Sequence, residues 1–138
     1  MDIYARLEQD HDRQRQLTKE LIETSGDTPE RRDLWEQLRV ELEAHANAEE
    51  QTFYAEMIGK PDGQDKARHS IAEHKAMADL IEELEDKPMD SSGWLQTFKQ
   101  LEHDVVHHLD EEEAEIFACA RQVIDADRAR ELAGEFEK

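Results

Sequence analysis

"HANAEEQTFYA", residues 45–55, returns in altered form in the second half of the chain as "HLDEEEAEIFA", residues 108–118. Each copy sets a histidine four positions before a glutamate, His45 with Glu49 and His108 with Glu112, and adds a second glutamate, Glu50 or Glu113. Residues i and i+4 share one face of an α-helix, so each copy predicts an imidazole and a carboxylate one turn apart. Sliding the sequence along itself until His45 meets His108 also carries His11 onto His74, Leu17 onto Leu80, Glu20 onto Glu83 and Leu21 onto Leu84. Leu38 then falls on Leu101 and Tyr54 on Phe117. The chain therefore reads as two copies of one helical hairpin, related by a pseudo-two-fold axis.

Punctuation divides the sequence to match. Asp2 is placed to cap a first helix running to about Thr24, ended by Ser25-Gly26-Asp27, with Ile3, Leu7, Leu17, Leu21 and Ile22 at helical spacing. Thr28-Pro29 is an N-cap followed by a proline at the first helical position. The second helix it opens carries Leu34, Leu38, Leu42, His45, Glu49 and Phe53 to about Ile58, before Gly59-Lys60-Pro61. A third spans about Gly63 to Asp86, and Lys87-Pro88 stops it. The fourth begins at Asp90-Ser91-Ser92-Gly93 and reaches about Ile124. An amphipathic tail from about Asp127 to Phe136, anchored by Leu132 and Phe136, completes the chain. The expected fold is all-α: an up-down-up-down four-helix bundle over residues 1–124, with a short C-terminal fifth helix in residues 125–138 packed on it.

Helix geometry puts the repeated histidines at one height. His11 and His45 lie roughly 20 and 24 Å from the loop between their helices, at about 1.5 Å rise per residue. His74 and His108 give nearly the same figures, so all four helices offer an imidazole to one layer of the core. Glu49 and Glu112 add carboxylates one turn further on. A single histidine on an apolar stripe is usually just a satisfied core residue, but two buried carboxylates without a counter-charge are costly. Arg15 and Lys75 lie off that face or at its margin, so a bound metal pair is the expected source of positive charge. Glu41 and Asp104, repeat mates one turn before His45 and His108, are the expected orienting partners of the imidazoles. Tyr4, two turns before His11, is expected to pack there or to reach the site.

Composition narrows the alternatives. A chain of 138 residues is one domain by length, and a net charge of −19 argues against nucleic acid or an anionic membrane as partner. Cys119 is the single cysteine, which excludes an intrachain disulfide and fits a reducing compartment. It reads as a packing residue rather than a nucleophile. The N-terminus shows no secretory pattern and no apolar run approaches membrane-spanning length, so the expected location is cytoplasmic. There is no HExxH, no CxxC and no glycine-rich phosphate loop.

His11, "HANAEE", Glu73-His74 and "HLDEEEAEIF" together resemble the hemerythrin-like, or HHE cation-binding, family over roughly residues 2 to 120. The resemblance implies a four-helix bundle holding two non-haem iron ions through His11, His45, Glu49, His74, His108 and Glu112, with the two glutamates bridging and an oxo or hydroxo group between the irons. It also implies a small diatomic or peroxide ligand as partner, in a monomer or small homo-oligomer. A metal-responsive regulatory module, or a structural zinc or manganese bundle, is the alternative, because these donors suit several divalent metals. His107 with Glu111 forms a competing His-xxx-Glu frame, but only the His108 frame keeps the repeat. Oxygen-carrying hemerythrins resemble the pattern with a second histidine on helix 3, where this chain has Ala78; each six-coordinate iron would then keep about two open positions. His69 is expected to face elsewhere, and Glu8 is a candidate extra ligand. Reversible oxygen storage is accordingly less expected than sensing, peroxide or NO chemistry, or iron handling.

Overall fold

A computed structural model describes residues 1–138 and consists of helices joined by short turns. Helix α1 spans Ile3–Ile22, and Asp2 caps it by accepting a hydrogen bond from the Ala5 amide. Helix α2 spans Pro29–Glu49, capped by Thr28, and continues through one π-helical turn, Glu50–Tyr54, into a last turn at Ala55–Ile58. A 3₁₀ turn at Pro61–Gly63 leads into α3, Gln64–Glu85. Gly63 is required there: a Cβ on it would stand 2.8 Å from the Met57 carbonyl oxygen. Helix α4 spans Ser92–Glu111, capped by Ser91, and passes through its own π-helical turn, Glu112–Ile116, into Phe117–Val123. The tail helix α5 covers Ala126–Phe136, with Asp125 as its cap.

Helices α1 and α2 pack as one hairpin and α3 and α4 as the other, while α5 lies against α1 and the π turn of α2. The expected all-α bundle with a fifth helix is the observed architecture. No helix is long and apolar enough to cross a membrane.

Two apolar clusters fill the interior. At one end Ile3, Leu7, Phe53, Met57, Ile116 and Phe117 meet the tail residues Leu132 and Phe136. At the other, Leu21, Leu38, Leu84, Trp94, Phe98 and Leu101 close around Trp35. Arg31 is buried at that second end, but neutral oxygens satisfy it: the Thr24 hydroxyl and carbonyl and the Met89 carbonyl. Most of the buried polar residues outside the two clusters are the repeated histidines and glutamates. They form a polar layer whose burial is as complete as that of the apolar core on either side.

The two π turns sit at nearly equivalent places in the repeat. In α2 the Ala55 amide bonds back to the Glu50 carbonyl, and in α4 the Phe117 amide bonds back to that of Glu112. A wide turn of this kind shifts the register by a single position. Two consecutive aromatic or aliphatic side chains then follow each glutamate pair into the core: Phe53 and Tyr54 in α2, Ile116 and Phe117 in α4.

Candidate metal centre

All six residues singled out from the repeat lie in one layer. His11, His45, Glu49 and Glu112 form one donor group, and His74, His108, Glu49 and Glu112 form a second; within each, the donor atoms lie within 4.8 Å of one another. Every member is buried, and Glu49 and Glu112 have no exposed surface at all. The glutamates are common to both groups, as two carboxylates lying between two pairs of imidazoles.

The four imidazoles share one orientation. Each Nδ1 contacts a carboxylate at the rim of the layer: His11 with Glu113 at 2.7 Å, His45 with Asp10 at 2.7 Å, His74 with Glu50 at 2.8 Å and His108 with Glu73 at 2.7 Å. An ionised carboxylate can only accept, so Nδ1 carries the hydrogen and Nε2 is left as the inward donor. Those Nε2 atoms face the central carboxylates. His11 is 3.0 Å and His108 3.4 Å from Glu112, while His45 is 3.5 Å and His74 3.3 Å from Glu49. The Nε2 atoms of His74 and His108 are 3.1 Å apart.

The rim carboxylates obey the repeat: Asp10 and Glu73 are mates under the shift that pairs His11 with His74, and so are Glu50 and Glu113. They replace the expected orienting partners. Glu41 lies near Arg13 and Gln14, and Asp104 accepts from Gln100 beside His103. An imidazole that points Nε2 into the bundle turns Nδ1 toward the neighbouring helix, so its partner comes from across a helix interface and not from one turn back. The sequence signal was adjacency: Asp10 and Glu73 directly precede His11 and His74, and Glu50 and Glu113 directly follow Glu49 and Glu112. Arg15, off the inner face as expected, reaches Glu113 at 3.0 Å and Asp110 at 3.1 Å. Glu8 is exposed and takes no part.

Tyr4 is buried against Phe53 and Phe117, with the Arg121 guanidinium 4.2 Å above its ring, and its hydroxyl makes no hydrogen bond to the layer. Tyr54 does reach it, donating its hydroxyl to Glu112. The sequence hid this because Tyr54 aligns with Phe117, which can make no such bond. Cys119 is half-buried, and its thiol donates to the Asp62 carbonyl.

Charge in the layer is strongly coupled. Burial disfavours the charged form of His45, but Glu49, the hydrogen bond to Asp10 and Glu112 more than reverse this and lift its pKa to about 10. His108 follows the same course: burial pulls it down, Glu112 and Glu73 lift it, and it also ends at about 10. His11 is raised as well, against burial, by Glu112 and Glu49. Burial pushes Glu49 up, yet the facing His45 and His74 hold it well below the usual carboxylate range. Tyr54 is pushed well above the usual phenol range by burial and the two central carboxylates.

The layer has the donors to hold a metal cation. Both oxygens of Glu49, Oε1 of Glu112 and the Nε2 atoms of His11 and His45 are buried without a hydrogen-bond partner. Buried polar atoms are nearly always satisfied, so five unpartnered donor atoms in one layer suit a bound cation. Carboxylate and imidazole donors, with the imidazoles oriented by rim carboxylates, are the donor set of a transition metal.

A cavity of about 60 Å³ runs from Glu43, Ala46 and Ala78 at the surface, past Leu42, Met77, Ile81 and Val105, to His45, His74 and His108. It holds a ligand a few atoms in size, far below the several hundred Å³ typical of sites for larger molecules.

Residues 2–120 match the family described as "Hemerythrin HHE cation binding domain". A hemerythrin HHE cation-binding domain-containing protein from Mycobacterium kansasii has a similar solved structure. The TM-score is 0.88 at 22% identity, over 99% of this chain and 83% of that one. A DNA nickase from Nostoc sp. is 26% identical over 137 residues, which is 99% of this chain. The chain spans only 38% of that relative's length.

Proposed function

The chain belongs to the hemerythrin HHE cation-binding domain family, and on that premise we propose that it is a non-haem di-iron protein that binds O₂, NO or peroxide. The observation that carries this reading is the set of four inward Nε2 atoms around two fully buried glutamates with orphaned oxygens. Carboxylates taken out of water need a compensating charge. In the metal-free chain, protons on the imidazoles supply part of it; bound divalent cations would supply it in their place.

An iron pair, when bound, supplies electrons and open coordination positions for a small ligand. The protein's residues do the rest. Asp10, Glu50, Glu73 and Glu113 fix the tautomer and the aim of each imidazole. Glu49 and Glu112 face both donor groups, so they would be the carboxylates shared between two bound ions. Tyr54 holds Glu112 in place and carries a hydroxyl proton at the edge of the layer. The cavity past Ala78 admits a diatomic or peroxide and excludes larger substrates, and its apolar walls keep the approach dry. Sensing, detoxification and iron handling all use such a site, in a monomer or a small homo-oligomer.

A metal-responsive regulatory role has its own observation. Phe136 of the tail packs on the His45 ring with centroids 5.7 Å apart, so a change in His45 is felt directly by α5. DNA nicking, named for the Nostoc relative, is not carried over, because a net charge of −19 repels a phosphate backbone.

The test is the visible spectrum of protein purified in air, together with its metal content. Iron, with charge-transfer bands that change on adding azide or peroxide, is the expected result. A colourless zinc protein indifferent to both would defeat the di-iron reading.

A further inference from the structure

Outside the layer, His69, Glu73, His107 and Glu111 meet on the face between α3 and α4. Two further His-xxx-Glu pairs make this cluster, His69 with Glu73 on α3 and His107 with Glu111 on α4. The His69 Nε2 lies 2.6 Å from one oxygen of Glu111 and 3.3 Å from Glu73. The His107 Nε2 lies 3.1 Å from the other oxygen of Glu111. The donor atoms of His69, Glu73 and Glu111 fall within 4.8 Å of one another. Both histidines are more than half exposed, while the two carboxylates are largely covered.

The pseudo-symmetric half shows what belongs at this place. The shift that relates the two hairpins takes Glu73 to Asp10 and His69 to Arg6. Asp10 there accepts from its histidine on one oxygen and from the Arg6 guanidinium, 2.6 Å away, on the other. Glu73 likewise gives one oxygen to His108, and its second oxygen faces His69. One half thus carries a built-in cation behind its rim carboxylate. The other has two imidazoles and two carboxylates, and no lysine or arginine pairs with either glutamate.

We propose that His69, Glu73 and Glu111, joined by His107, form a peripheral binding site for a divalent transition-metal cation, separate from the buried pair. Imidazole and carboxylate at helical spacing on two adjacent helices are the same donor chemistry as the buried layer uses, now open to solvent. A cation there takes the position that Arg6 fills in the other half. It stands one carboxylate away from His108, because Glu73 serves both. The strongly acidic surface concentrates such ions near the chain.

The experiment uses the full chain loaded with iron, then titrated with Zn²⁺, with the two metals counted separately by elemental analysis after equilibrium dialysis. The wild type is expected to take up one zinc per chain beyond its buried ions. His69→Ala and His107→Ala should weaken that uptake by about tenfold or more, since even outer-shell losses at metal sites cost about 10–100-fold. His103→Ala, an exposed histidine on α4, should leave it unchanged. If the buried layer takes no iron, its zinc content is the same in wild type and variants, and the difference of one zinc still reads the peripheral site. No extra zinc in the wild type, or equal uptake in His69→Ala, overturns the proposal; loss of uptake in His103→Ala overturns the assignment of its residues.

Discussion

The two halves of the polar layer are alike inside and unlike outside. His45 and His108 stand in equivalent surroundings, each with a rim carboxylate on Nδ1 and a central glutamate before Nε2, and burial and neighbouring charge bring both to a pKa of about 10. Behind them the halves diverge. In the first, Arg6 holds Asp10, Arg15 holds Glu113, Phe117 stacks on His11 and Phe136 packs on His45. In the second, Glu50 and Glu73 have no guanidinium behind them. Repetition keeps the donor geometry, while the tail and two arginines brace one side of it. The cavity reaches His45 on that side and His74 and His108 on the other, so a small ligand is expected to arrive along it, past Ala78.

The most disruptive way to break this comparison is to remove a rim carboxylate from each half. Asp10→Ala and Glu73→Ala should each lower metal affinity by about 10–100-fold, measured by competition with a chelator. If either variant binds metal as tightly as the wild type, Nδ1 orientation is not what prepares the imidazoles.

Filling the cavity tests the ligand's route. Ala78→His, one turn after His74, should keep the metal content but slow or weaken the azide-induced spectral change by about tenfold, because the added ring occupies the entrance. An unchanged azide response would mean that ligands enter elsewhere.

Much of this was legible in the sequence, for definite reasons. Caps at Asp2 and Thr28, the stop at Gly59-Lys60-Pro61 and the apolar stripes at helical spacing delimit the helices. The internal repeat then places His11, His45, His74 and His108 at one level. Both π turns escaped because a widened turn leaves no periodic signature of its own; it shows only as two consecutive buried side chains, Phe53-Tyr54 and Ile116-Phe117. Glu41 and Asp104 were the wrong orienting groups because same-face spacing along one helix was applied to a bond that crosses between helices. Tyr54 entered the repeat only as the mate of Phe117, and a phenylalanine gives no sign of a hydroxyl that reaches the layer. The packing of Phe136 on His45 depends on where α5 docks, which helical periodicity does not encode.

The smallest expected effect concerns what the halves share. In metal-free protein, a folded-state pKa of about 10 at His45 and His108 stabilises the fold fully below the unfolded histidine value of about 6.5, and that contribution is lost as pH rises through about 10. The Tm of chelator-treated protein should therefore fall between about pH 7 and pH 10. Metal-loaded protein should lack this fall, since its imidazoles are bound neutral. A metal-free Tm that rises over this range would contradict the charge assignment.

The proposed iron pair is tested most directly by anomalous diffraction at the iron edge from iron-loaded crystals. Two peaks are expected, one beside His11 and His45 and the other beside His74 and His108, with Glu49 and Glu112 reaching both. A single peak, or none between those glutamates, would contradict the paired centre.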